Sequence, residues 1–417
     1  MSSTDIRTGR TPTMPLALWA LAIGAFGIGT TEFIVTGLLP GVAEDFGVPV
    51  STAGHMATVY ATGVFLGAPL TTALGTRVGR KPMLAALMAL FVAGNLITAL
   101  APAFGVLLAG RVVASLTHGA FFGIGAVVAA DLVAPHRRAA AIAFMFTGLT
   151  LANVVGVPAG TLLGTSVGWR AAFGAIALLG VVGLAGVLAL VPRTPKPVGP
   201  RLLPEVAALR SPQVLLAMAM TVLGFGGVFV SITYIAPMLT EVAGFAPAAV
   251  TWVLVAFGVG MVVGNSVGGR LADKALMPLL FTSLAALSLT LLGFTWGAHS
   301  MAASVVFVFL IGAFGFATVP PLQKRVMDKA SGAPTLASAI NIGFFNLGNA
   351  IGALLGGFVI DLGLGYTAPN WAGALLPAGA LVLAALSARM DRKERTDRRR
   401  VQGAEVTAAA PGTSSAA

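Results

Sequence analysis

Twelve stretches of this chain, each apolar and about as long as a bilayer is thick, decide what it can fold into. They lie at about 16–39, 51–74, 82–101, 104–130, 139–164, 169–191, 213–238, 249–271, 278–297, 301–321, 335–360 and 371–388, and are numbered spans 1 to 12 below. A hydrocarbon core of about 30 Å takes roughly 20 residues of helix. Lipid offers no partner to a peptide group, so each stretch must be helical. Of the 417 residues, 57% are hydrophobic and only 9% charged, too few charges to clothe a water-facing surface of this size. The expected fold class is an all-α membrane protein. Span 1 outruns the apolar core of a signal peptide and has no small-residue cleavage site, so it is expected to be retained.

The basic residues orient the spans. With the N-terminus cytoplasmic, all but two of the 25 Lys and Arg fall on inner segments, leaving Arg170 at an outer loop and Arg111 inside span 4. The outer loops at 40–50, 239–248 and 361–370 carry Glu44, Asp45, Glu241 and Asp361 and no Lys or Arg. Positive residues stay on the cytoplasmic side, so an even number of spans with both ends inside is expected. The net charge of +11 is thereby explained by topology, and no nucleic-acid partner is expected. The chain divides into an N-terminal tail (1–15), a six-helix bundle (16–191), a basic, Pro-rich cytoplasmic loop (192–212), a second bundle (213–388) and a basic tail (389–417). The last is expected to be disordered, having too few apolar groups to fold.

Shifting the sequence by 197 residues superposes Gly27, Thr36, Pro40, Glu44, Gly47 and Gly63 on Gly224, Thr233, Pro237, Glu241, Gly244 and Gly260. Further on, Asn153, Gly156 and Gly160 match Asn349, Gly352 and Gly356. Two parallel six-helix repeats are a transporter architecture. The chain has no Cys, and its four His show no metal-ligand spacing, so no metal is expected. No phosphate-cradling Gly-rich loop or nucleophile motif is present, so neither an enzyme nor an ATP-driven pump is expected, and no cofactor beyond an ion gradient.

These residues resemble the major facilitator superfamily, and within it the twelve-helix drug:proton antiporters. The loop LGTRVGRKP between spans 2 and 3 resembles the family's signature loop: Leu74, Arg77, Gly79, Arg80 and Lys81 match, while Thr72 and Thr76 replace its Gly and Asp. The second-half equivalent, GGRLADKALMP, keeps Gly269, Leu271, Asp273 and Lys274. Arg111 stands where the family has an intramembrane Arg, and Gly156, Pro158 and Gly160 of span 5 resemble its antiporter motif. The stretches TEFIVTGLLP and GWRAAF are similar to chloramphenicol-efflux and arabinose- or sugar-efflux members. The resemblance implies two pseudo-symmetric six-helix bundles that alternate access to a substrate.

A charge inside hydrocarbon needs a partner or a water-filled cavity. Glu32 lies roughly 12 Å in from the outer end of span 1, and Arg111 roughly 10 Å into span 4, at 1.5 Å per residue. Matching depths lead to the expectation that they pair and that protonating Glu32 releases Arg111. His118, two turns beyond Arg111 on the same face, is the third candidate for proton coupling. Phe121, Phe122, Asn153, Tyr234, Asn341, Phe345 and Asn346 are candidates for an apolar substrate cavity with few hydrogen-bonding groups. Arg77, Gly79, Arg80, Lys81, Asp131, Asp273 and Lys274 are expected to form a cytoplasmic gate, with Gly79 allowing a tight turn and Asp131 paired to the loop cations.

The expected function is efflux of small amphipathic drugs against protons, by a monomer in the bacterial inner membrane whose partners are substrate, protons and the lipid bilayer. Export of sugars, nucleosides or related metabolites by the same machinery is the alternative, and a membrane receptor without transport a distant third.

Overall fold

The computed structural model describes residues 14–75, 78–193, 210–330 and 334–409. Among the described residues all regular structure is helical, and all twelve expected spans fall on helix. Ten helices among them are individually long and apolar enough to cross a membrane. The longest runs 51 residues from Pro247 to Gly297, more than two bilayer thicknesses, and is interrupted between spans 8 and 9 by the non-helical Ala275. Span 2 is a 21-residue helix, His55–Gly75. Leu100, Leu178, Trp252 and Leu375 are 62–76% exposed on the protein, a surface that only lipid can cover. Trp19 near one end of its span and Trp252 and Trp296 near the other ends of theirs are also exposed, as expected of rings at the headgroup level.

The repeated P-x-x-x-E-x-x-G has a local cause. Gly47 and Gly244 both sit at positive φ (61° and 78°), where the chain must leave spans 1 and 7 and a side chain would be strained. Four spans are broken along their length, and a threonine lies at or beside each break. Thr36 Oγ1 donates to Phe33 O (2.8 Å) at the break in span 1, and Thr233 to Phe229 O (2.6 Å) in span 7. Thr117 donates to Ala114 O (2.7 Å) in span 4, and Thr318 to Gly315 O (2.6 Å) in span 10. A hydroxyl that takes up a turn's own carbonyl lets a helix bend without orphaning that group. Span 5 has instead a π turn, Ala152–Gly156, followed by Pro158.

Two compact units make up the chain. The first comprises the residues up to Pro200 with Ile235–Thr240 and Phe245–Gly258; the second comprises Arg201–Tyr234, Glu241–Gly244 and the chain from Val259 onward. The division thus departs from the boundaries 16–191 and 213–388 at the end of span 7 and the start of span 8. Gly258 is one reason: a Cβ there would lie 2.5 Å from Asn153 O, so only a glycine lets span 8 lie on the π turn of span 5.

Each unit contains a glycine seam. In the first, a Cβ at Gly156, Gly160 or Gly164 would fall 2.2–2.4 Å from the side chains of Thr30, Ile34 and Leu38 on span 1. In the second, a Cβ at Gly348, Gly352 or Gly356 would fall 2.4–2.6 Å from the backbone carbonyls of Val222, Gly226 and Val230 on span 7. Small residues are what allow such close approach in lipid.

Two expectations need correction. The basic tail is not a disordered segment from 389 onward: the helix of span 12 continues from Ala368 to Ala409. Arg, Lys, Glu and Ala are good helix formers, and a helix already nucleated by the span extends at little cost. Gly79 makes no tight turn either; it is extended (φ −60°, ψ 148°), open to any residue, and precedes the helix Arg80–Ala99. The N-terminal tail through residue 13, most of the central loop, Thr76 and Arg77 lie outside the described residues.

Candidate functional site

Spans 1, 2, 3 and 4 bring a cluster of polar side chains together inside the first unit. Arg111 is completely buried. Its Nη1 donates to Thr31 O (2.8 Å) and Thr31 Oγ1 (3.2 Å), and its Nε to Met56 O (3.3 Å). Its guanidinium lies 4.3 Å from the centre of the Tyr60 ring and 5.6 Å from that of Phe173, so two π faces share the charge. Thr31 Oγ1 in turn donates to Asn95 Oδ1 (2.7 Å), which fixes the acceptor that Arg111 uses.

Glu32 is not hydrogen-bonded to Arg111. Its Oε2 lies 3.9 Å from His118 Nδ1, and the Tyr60 hydroxyl lies 3.3 Å from the same nitrogen. The direct pair expected from matched depths is therefore replaced by a cluster in which Tyr60 touches both Arg111 and His118. Glu32 and Arg111 remain close enough for their charges to interact. Arg111 Nη2 is buried and makes no hydrogen bond. Buried donors are almost always satisfied, which sets this N–H apart from the Nε and Nη1 of the same guanidinium.

The cavity candidates separate into two kinds. Phe121 is core: it fills the notch left by Gly24, where a Cβ would be 2.4 Å from its ring. Phe122 lies 5.1 Å from the His118 ring and stacks on Phe146 at 5.2 Å. Tyr234 donates its hydroxyl to Ala353 O (2.9 Å), binding span 7 to span 11, and Phe345 meets Phe225 edge-on at 5.2 Å. Asn153, Asn341 and Asn346 are buried and donate to Leu149 O (3.0 Å), Gln323 Oε1 (2.8 Å) and Ile342 O (3.0 Å).

Arg80 pairs with Asp131, joining the start of span 3 to the end of span 4. Lys81 follows in the same helix and is partly exposed. In the second unit the polarity is reversed: the acid Asp273 follows span 8 and pairs with Lys324 beyond span 10 at 2.6 Å, while Lys274 stands exposed beside the interruption at Ala275. The Lys324 hydrogen bond holds the exposed Asp273 carboxyl below the usual carboxylate range.

Two polar assemblies went unread in the sequence. Arg325 Nη2 contacts Asp391 Oδ2 (2.7 Å) and Ser387 Oγ (2.6 Å), Ser387 donates to Gln213 Oε1 (3.0 Å), Gln213 Nε2 donates to Asp391 Oδ1 (3.2 Å), and Lys329 also pairs with Asp391. This network ties spans 7, 10 and 12 at their inner ends. At the outer face, Arg170 pairs with Asp45, donates to Ala101 O (3.1 Å) and lies 4.2 Å from the Trp169 ring, beside a cleft of about 410 Å³. The GWRAAF stretch thus joins the ends of spans 1, 3 and 6. Arg325, Lys329 and Asp391 look topological in a sequence, and Arg170, though an exception to the positive-inside pattern, gave no sign there of its partner Asp45.

A membrane fold of two repeats, all-helical among the described residues, with ionisable groups buried within its first half defines a class of multi-pass transport proteins. Residues 21–341 and 244–413 match the model of the Major Facilitator Superfamily, and the chain belongs to that family of transporters. It is 47% identical over 372 residues to the inner membrane transport protein YdhP of Escherichia coli (strain K12), covering 89% of this chain and 96% of that one. It is 38% identical over 380 residues to a chloramphenicol resistance protein of Streptomyces lividans, covering 89% and 96%. Among solved structures, that of a D-xylose-proton symporter superposes with a TM-score of 0.71 at 14% identity, over 88% of this chain and 96% of that one, a likeness of fold.

Proposed function

We propose that this transporter exports small amphipathic organic molecules in exchange for protons, by alternating access, as a monomer in the bacterial inner membrane with both ends cytoplasmic. The observation that carries the reading is the buried cluster of Glu32, Tyr60, His118 and Arg111, whose one acid sits beside a guanidinium with an unused N–H. Ionised, Glu32 attracts Arg111; neighbouring unit charges at an effective dielectric of about 20 interact by a few kcal/mol, roughly 3–4. Protonated, it loses that attraction, and a change of this size moves a two-state equilibrium by roughly a hundredfold. His118, in contact with both Glu32 and Tyr60, passes the proton. The inner pairs Arg80–Asp131 and Asp273–Lys324 act as gate ties within their own halves. The similarity to a chloramphenicol resistance protein supports a drug as substrate.

The test uses inverted membrane vesicles with an acid interior and a trapped pH dye, challenged with drugs, sugars and nucleosides. Wild type is expected to release protons when its substrate is added, and Glu32→Gln to lose that release while still binding the substrate. Proton release that persists undiminished in Glu32→Gln removes the acid from the mechanism.

A further inference from the structure

Span 3 is apolar from Met83 to Ala99 except for Asn95 and Thr98, and Asn95 is only 1% exposed. A buried amide is costly unless it is hydrogen-bonded, and this one is bonded on both sides. Its Nδ2 donates to Phe91 O (2.9 Å) in its own helix, and its Oδ1 accepts from Thr31 Oγ1 (2.7 Å) in span 1. Turning the amide over would set its oxygen against Phe91 O, so the carbonyl is fixed on Thr31. Glycines bring it there. A Cβ at Gly94 would lie 2.4 Å from Ala114 N, and one at Gly110 would lie 2.7 Å from Gly94 O, so spans 3 and 4 meet at the level of Arg111.

Thr31 departs from the habit of its neighbours. A threonine inside a helix commonly donates to the carbonyl four residues back, as Thr30, Thr71, Thr98, Thr221 and Thr233 do here. Thr31 instead gives its one hydroxyl proton to span 3, which leaves its oxygen as an acceptor for Arg111 Nη1 (3.2 Å). The same Nη1 donates to Thr31 O (2.8 Å), one of the last four carbonyls of the helix Leu16–Phe33, which have no partner within that helix. Others in that turn are met differently: Thr30 O by Ile34 N (3.0 Å) and Phe33 O by Thr36 Oγ1 (2.8 Å). Arg111 thus closes the end of a helix whose next-to-last residue is Glu32, and Asn95 aims one of the acceptors it closes on.

We propose that Asn95 is a positioning residue for proton coupling: through the Thr31 hydroxyl it holds the Arg111 guanidinium in the place from which Arg111 answers the charge of Glu32. The proposal rests on the transport reading above and adds to it an uncharged residue of span 3. Without the Asn95 carbonyl, the Thr31 hydroxyl returns to the usual acceptor four residues back, Gly27 O, and Arg111 keeps only two backbone carbonyls, Thr31 O and Met56 O. The guanidinium stays buried, but its place is less sharply set. The pull that Glu32 gains and loses with its proton is then passed less fully to the end of the span 1 helix.

The experiment uses the full chain in proteoliposomes, with chloramphenicol, arabinose and uridine as probes. It compares uphill transport driven by an imposed proton gradient with counterflow exchange, which needs no net proton movement. Asn95→Leu and Thr31→Val are each expected to lower the driven rate about tenfold, the scale of one hydrogen bond to a charged group, with counterflow within about twofold of wild type. Thr31→Ser keeps the hydroxyl and is expected to run like wild type. The double variant Asn95→Leu/Thr31→Val should be no slower than either single one, because both remove the same link. Thr31→Val is close in shape to the native residue and carries the test should Asn95→Leu fail to fold. Equal loss of driven transport and counterflow makes Asn95 a residue of the fold alone and overturns the proposal. So does an unchanged driven rate in the single variants, or losses that multiply in the double one. A wild type that carries none of the probes overturns the efflux reading and this proposal together. Undiminished coupling in Glu32→Gln alongside the Asn95→Leu loss rejects the role of the acid and leaves the link from Asn95 to Arg111 standing.

Discussion

The two halves of this transporter descend from one pattern but bury different things. The first holds its ionisable groups in the membrane: Glu32, His118 and Arg111, with Tyr60 between. The second has neutral amides at that depth and keeps its charges, Arg325, Lys329 and Asp391, at the inner end. The seams mix both kinds of contact: Gly156, Gly160 and Gly164 face side chains of span 1 while Gly148 of the same span faces Ala22 O, and Gly348, Gly352 and Gly356 face backbone carbonyls in the second half. A proton site must tolerate a change of charge, which adjustable side chains can absorb. On the proposed function, the first half is the one that responds to protonation.

The largest effect should come from the responsive half. Glu32→Gln is expected to lower proton-driven uphill transport at least a hundredfold, with counterflow exchange of substrate retained; loss of both in a folded protein would make Glu32 a structural residue. The seams provide the next comparison. Gly352→Ala drives a methyl onto Gly226 O, which cannot move aside, and should cost about 2–3 kcal/mol, the upper range for overpacking, read as a lowered melting temperature. Gly160→Ala meets only the terminal methyl of Ile34, which can rotate away, and should cost about 1 kcal/mol or less. Equal losses at the two positions would erase the distinction between the two kinds of contact. Between these two lies the inner network: Asp391→Asn leaves Arg325 short of its carboxylate and should cost about 1–3 kcal/mol. Asp273→Asn removes an exposed pair and should leave the melting temperature unchanged, with only the transport rate altered. The Asp273 carboxylate is ionised at neutral pH and its pairing is lost as pH falls through its lowered titration range, so the wild-type rate should converge on that of the variant only in strong acid.

Much of the architecture was legible because lipid enforces it. Span positions, the repeat, the basic inner loops and the glycine spacing of span 5 follow from what a bilayer rejects. The partnership of Asp131 with a loop cation was legible too, since opposite charges at one membrane face have few other places to go. Tyr60 was not, because a tyrosine in an apolar run reads as one more hydrophobic residue until its neighbours are known. The Glu32–Arg111 pairing was inferred from depth alone, and depth says nothing of azimuth: Arg111 turned to Thr31 and Met56, and Glu32 to His118. Arg325 and Asp391 were hidden by their surroundings, an inner boundary where basic residues are expected anyway. Composition misjudged the tail, for it weighs the ability to form a core and not the ease of extending a helix that already exists.

The threonine breaks belong to both halves. Thr36 and Thr233 occupy matched positions, and Thr117 and Thr318 make the same kind of bond in corresponding spans of the two repeats. Glu32, by contrast, is matched by Phe229 in the second repeat. Each six-helix bundle can therefore bend in the same two spans, whatever groups it buries there.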